Sequence, residues 1–129
     1  MKQVINTTAA PEPIGPYSQA VKANGFLFSS GQIAINPVDG IMVSENITEE
    51  TKQVMSNIKA ILKSVNLDFD AIVSTCIYLK SLNHFSIVNS VYSEYFINNF
   101  PARTTIEVSA LPKGAEVEIS FIALLNTNS

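Results

Sequence analysis

The sequence predicts one α+β domain, a mixed β-sheet with two helices packed on one face. Three observations carry this. Residues 47–65 and 83–98 repeat apolar side chains at helical spacing. The stretches 69–80, 104–110 and 116–125 alternate with the period of a strand, and Asn24-Gly25 joins two short apolar runs at 19–23 and 26–30 as a hairpin. Their order, β, ββ, α, β, α, ββ, suits a sheet covered by a helical layer. A chain of 129 residues fits a single domain, 1–129, and buries a core without staples.

Taken in order, Lys2–Ile5 is a short first strand. Residues 10–18, Ala-Pro-Glu-Pro-Ile-Gly-Pro-Tyr-Ser, hold three prolines and a glycine, which forbid a helix or a central strand. This stiff loop holds Tyr17. The tyrosine either offers its hydroxyl and ring to a ligand or closes the edge of the core. Strands 19–23 and 26–30 are joined by Asn24-Gly25, a hairpin signal because both turn residues need positive φ. The second strand runs into Ser30-Gly31, which is either a ligand-facing corner or a β-bulge.

A loop around Asn36-Pro37-Val38-Asp39-Gly40 leads to the first helix. Asn46 or Thr48 caps it, and Glu49 and Glu50 suit its positive end. Its inner face carries Ile47, Val54, Met55, Ile58, Ile61, Leu62 and Val65. Their burial contributes on the order of 10–20 kcal/mol as an upper bound. The strand at 69–80 is largely apolar on both faces, so it needs cover on both. One helix layer covers one face, and a neighbouring subunit is the natural cover for the other. Cys76, mid-strand, reads as a buried inert thiol. Asn83 caps a second helix running to about Asn98, with Phe85, Val88, Tyr92, Tyr95 and Phe96 inward. His84 lies in its first turn and Asn89 lies on the other side of the helix from Val88. The Asn89 amide either reaches a ligand or is solvated.

Arg103 opens the next strand behind Pro101, which stiffens the entry. Arg103, Thr105, Glu107 and Ser109 share one face; Thr104, Ile106, Val108 and Ala110 share the other. A guanidinium held there either pairs with a surface carboxylate or grips a ligand carboxylate with two parallel hydrogen bonds. In the last strand Val117, Ile119, Phe121 and Ala123 share a face, and Glu118 lies opposite among mostly apolar neighbours. A carboxylate so placed is either an ion-pair partner or a working acid-base group.

Composition narrows the function. A net charge of −3 with no basic block gives no footprint for nucleic acid. No apolar run approaches membrane-spanning length. The first eight residues lack an apolar signal core, and one cysteine excludes an internal disulfide, so a reducing, cytoplasmic setting is expected. No metal-ligand cluster or phosphate cradle is visible, and no cofactor is expected.

Several motifs together resemble one family. Ile14-Gly15-Pro16-Tyr17-Ser18-Gln19-Ala20, Ser29-Ser30-Gly31-Gln32-Ile33, Asn36-Pro37, Phe100-Pro101-Ala102-Arg103, and Leu111-Pro112-Lys113-Gly114 with Glu116-Val117-Glu118-Ile119 look like the RidA (YjgF/YER057c/UK114) family over roughly residues 14–125. The resemblance implies a chorismate-mutase-like fold and a homotrimer with sites at the subunit interfaces. It also implies a cofactor-independent deaminase that hydrolyses 2-imino acids to 2-oxo acids and ammonia. It gives Arg103 the substrate carboxylate, Glu118 the water and Tyr17 the closing loop. It places Ser30, Gly31, Asn89 and Thr105 along the pocket. Many members carry cysteine where this chain has Thr105, so thiol chemistry at that position is not expected. The alternative is a non-catalytic trimeric module that binds small carboxylic acids or regulates a protein partner. Nuclease activity, ascribed to some relatives, has little support in an acidic chain with one histidine.

Overall fold

The structure, a computed structural model, describes residues 1–126. Six strands form one mixed sheet: β1 (Gln3–Ile5), β2 (Ala20–Ala23), β3 (Phe26–Ser29), β4 (Ile72–Leu79), β5 (Ala102–Glu107) and β6 (Val117–Leu124). Their spatial order is β1-β2-β3-β6-β4-β5. Only β4 and β5 pair in parallel. Two helices, α1 (Ile47–Lys63) and α2 (Phe85–Ser93), pack on one face. Among the described residues no helix is long and apolar enough to cross a membrane.

Local chemistry accounts for most of the elements. Asn24 and Gly25 take φ of 52° and 85°, the paired positive values of a tight hairpin turn. Asn46 caps α1 by accepting the Glu49 amide at 2.8 Å. Val54, Met55, Ile58, Ile61 and Leu62 are buried against Leu27, Ile77, Leu79, Val117, Ile119 and Phe121. The inward face of β6 is thus the apolar one its alternation predicts.

Two elements differ from the sequence expectation. The Asp68 side chain accepts the Phe69 amide at 2.8 Å and starts a short 3-10 turn over Phe69–Ala71. β4 therefore begins at Ile72. An irregularity between Ile72 and Ser74 then buries both Ile72 and Thr75, and leaves Val73 exposed. The second helix is also shorter than predicted. Ser81, rather than Asn83, caps a 3-10 turn over Leu82–His84, and α2 ends at Ser93. Phe96 is still buried beyond the helix end, packed between Phe69 and Tyr92.

The other face of the sheet carries no covering layer among the described residues. Cys76 and Tyr78 of β4 lie there beside Ser120 and Glu118 of β6, their register partners, with Ile122 further along β6. Phe28 and Ile106 extend the same face and are each more than two-fifths exposed.

Candidate functional site

Glu118 stands on the uncovered face of β6, directly over Gly31. A Cβ on Gly31 would collide with Glu118 Oε2 and lie 2.7 Å from its Cδ and 2.9 Å from its Cγ. Gly31 has no positive φ, so close approach rather than backbone strain calls for glycine here. β6 and the Gly31 segment are held together locally by Gln32, which exchanges backbone hydrogen bonds with Ile119 at 2.8 and 3.0 Å. No hydrogen bond or ion pair holds the Glu118 carboxylate among the described residues. Burial alone pushes its pKa above the ordinary 4.5.

The carboxylate borders a concavity of about 400 Å³. Ile14, Tyr17, Ile33 and Pro112 give it an apolar wall, and Ser30, Gly31 and Glu118 line the rest. The Ser30 hydroxyl donates to Ser18 O at 2.5 Å, so its proton ties the loop and its lone pairs remain for a ligand. Tyr17 Oη accepts the Ile14 amide at 3.2 Å, which folds the loop over its own tyrosine. Two wider grooves, of about 730 and 760 Å³, border Asp68 and Asp70. Asp68 is already paired with Lys63 at 3.0 Å, and that contact holds its pKa below the ordinary value. They lack the unpaired, partly buried carboxylate that marks the smaller concavity.

Arg103 lies elsewhere. It pairs with Thr75 in the β4–β5 ladder, and Thr75 turns to the helical layer, where its hydroxyl meets Tyr92 Oη at 2.8 Å. The guanidinium carbon sits 5.3 Å from the Tyr92 ring centroid and 5.6 Å from that of Phe85. No carboxylate pairs with it among the described residues. Thr105, two residues on and facing the same side, buries its Oγ1 without a hydrogen-bond partner. Asn89 lies half-buried on α2, one turn after Phe85.

Strand register separates the two groups. Glu118 is opposite Tyr78, which is opposite Ile106. Arg103 is three positions from Ile106, an odd offset that puts it on the other face. Three residues along and two strands across place their Cα atoms roughly 14 Å apart. One chain therefore brings together Tyr17, Ser30, Gly31 and Glu118, and separately holds Arg103 and Thr105 on the helical face, with Asn89 one turn along α2 from the Phe85 ring that Arg103 meets.

Two buried polar residues escape a sequence reading. Glu50, which by sequence suits the positive end of α1, is 3% exposed, and its Oε2 accepts the amides of Glu116 and Val117 at 2.7 and 3.2 Å. Burial raises its pKa against the lowering effect of those two amides. Asn57 donates to Ile33 O and Ile35 O at 3.0 and 2.9 Å and so anchors the segment after Gly31 to α1. Their spacing on α1 carries no signal of these partners, which come from distant parts of the chain. Among the described residues no three His, Cys, Asp or Glu side chains converge as a metal site.

Comparison with known proteins places this architecture. The family model described as Endoribonuclease L-PSP matches residues 7–125. A RutC family protein of Pyrococcus horikoshii is 50% identical over 123 residues, covering 95% of this chain and 98% of the relative. The 2-iminobutanoate/2-iminopropanoate deaminase of Homo sapiens is 44% identical over 124 residues, covering 96% of this chain and 90% of the relative. The crystal structure of YyfA, a protein of the conserved Rid family from Yersinia pestis, superposes with a TM-score of 0.94 at 51% identity, covering 97% of this chain and all of that one. With the family model and these relatives spanning nearly its whole length, the chain belongs to the Rid (YjgF/L-PSP) family.

Proposed function

We propose that this protein hydrolyses 2-imino acids to 2-oxo acids and ammonia, in a homotrimer whose sites each lie between two subunits. The observation that carries the reading is Glu118: a carboxylate without a partner, over a glycine, in an apolar concavity, with its pKa raised by burial. A binder of anions gains nothing from such a group, whereas a hydrolase uses it to take a proton from water. Arg103 supports the same reading. It has no carboxylate partner, it is stacked on two rings, and Thr105 beside it offers an unpartnered hydroxyl. A small carboxylic acid satisfies both.

The two groups lie on opposite faces of one chain, so a second copy must supply one of them. The uncovered sheet face, with Phe28, Tyr78 and Ile106 partly exposed, supports that association. In the assembled site Arg103 of one subunit grips the substrate carboxylate. Glu118 of the next takes a proton from water as the water oxygen bonds to the imine carbon. The protonated carboxyl returns that proton to nitrogen to give the carbinolamine. Glu118 then carries the hydroxyl proton of the carbinolamine to the same nitrogen, so that the C=O bond forms as the C–N bond breaks and the oxo acid and ammonia leave. Tyr17 and Ile14 wall off bulk solvent.

RNA cleavage finds no support in these groups. The sole histidine, His84, sits 3.3 Å from Glu116 and does not line the concavity. The direct test adds purified protein to a 2-imino acid generated in situ and follows oxo-acid release against buffer alone. Acceleration is expected. Binding of a 2-oxo acid with no acceleration would favour the non-catalytic module instead.

A further inference from the structure

We propose that Gln19 is the positioning residue of the site, fixing the Tyr17 loop at the distance the substrate requires. This inference rests on the reading of the Tyr17–Glu118 concavity as the active site. The loop over residues 7–17 has little regular structure of its own. Pro11, Pro13 and Pro16 supply no amide donors and interrupt any strand ladder, so the carbonyls of this segment take donors from elsewhere. Gln19 meets that need from below.

Its side chain is only 2% exposed. The Gln19 amide nitrogen donates to Thr7 O at 2.9 Å and Pro11 O at 2.8 Å, with a longer contact to Ala10 O at 3.3 Å. Its Oε1 accepts the Thr7 amide at 2.7 Å. One primary amide therefore binds both ends of the 7–11 segment, using donor and acceptor at once. A carboxylate supplies no donor, and an aliphatic chain supplies neither group. The backbone completes the clasp. Gln19 O accepts the Ser30 amide at 2.9 Å, and Ser18 O accepts the Ser30 hydroxyl. The loop is thereby fastened to the strand end that leads directly into Gly31, under Glu118.

The consequence for the reaction is specific. Ile14 and Tyr17 form the loop wall of the concavity, while Glu118 belongs to β6 and Gly31 follows the end of β3. Releasing the loop disturbs the wall and leaves the carboxylate in place. Substrate capture suffers, and the chemical step much less.

The test uses Gln19→Leu and Gln19→Glu in the full chain, with two readouts. Amide hydrogen exchange across residues 7–17, and at Thr7 above all, reports the clasp without reference to activity. Steady-state kinetics report its effect. Gln19→Leu is expected to lose protection in 7–17, at Thr7 above all, and Gln19→Glu, which keeps an acceptor for the Thr7 amide but cannot donate to the loop carbonyls, to lose less, both with the sheet amides unchanged. KM should rise about tenfold with kcat within about threefold. The rise in KM should shrink to under about twofold in a Tyr17→Ala background, because the wall is then already missing. Unchanged exchange in 7–17 overturns the proposal. So does loss of protection spread through the sheet, failure of both variants to fold, or a KM effect of full size in the Tyr17→Ala background. A wild-type protein that hydrolyses no imine would refute the proposed function, while the exchange experiment would still decide the role of Gln19.

Discussion

Gly31 and Glu118 occupy each other's space: the carboxylate of one lies where the side chain of the other would be. Since Gly31 has no positive φ, alanine meets no backbone penalty there. It meets Glu118. Gly31→Ala is therefore expected to fold, with the glutamate pushed aside. A loss of about 10-fold or more in kcat should accompany a melting temperature within a few degrees of wild type. Kinetics and a thermal melt on the same preparation check this; unchanged turnover would mean that the Glu118 position is not critical.

Replacing Glu118 by glutamine keeps its shape and removes the proton acceptor. Turnover should fall about 10²-fold or more, while a 2-oxo acid still binds. The pH dependence follows from the raised pKa. The base form increases as pH rises through that pKa, so kcat/KM of the wild type should climb on an acid limb lying above 4.5. That limb should be absent from the residual activity of Glu118→Gln. A pH profile corrected for spontaneous hydrolysis checks both statements.

Glu50 makes a prediction for stability rather than chemistry. Glu50→Ala leaves the Glu116 and Val117 amides without their acceptor at the start of β6. A loss of about 1–3 kcal/mol is expected, read by urea denaturation. Gln, which retains one acceptor oxygen, should cost less.

Much of this was legible in the sequence because it is local. Alternation alone put Glu118 opposite the core face of β6 and grouped Arg103 with Thr105. Asn24-Gly25 marked its hairpin, and the prolines before Tyr17 marked a stiff loop. What escaped depends on register and on distant partners. The separation of Arg103 from Glu118 follows from how β5, β4 and β6 align, which no single stretch encodes. Glu50 looked like a helix-end charge because its partners lie 66 and 67 residues away. The turn at Phe69–Ala71 was hidden by an apolar alternation that the Asp68 cap overrides.

In the proposed assembly Arg103 of one subunit works with Glu118 of another. Arg103→Ala should lower kcat/KM by about 10²-fold or more, with lysine a partial rescue because it lacks the planar fork. Two such crippled proteins can then be combined. Arg103→Ala and Glu118→Gln are unfolded together in equal amounts, refolded and assayed against each refolded alone. A site between subunits finds an intact arginine and an intact glutamate in about one quarter of random pairings, so activity should return to about a quarter of wild type. A mixture no more active than its components would contradict the shared site.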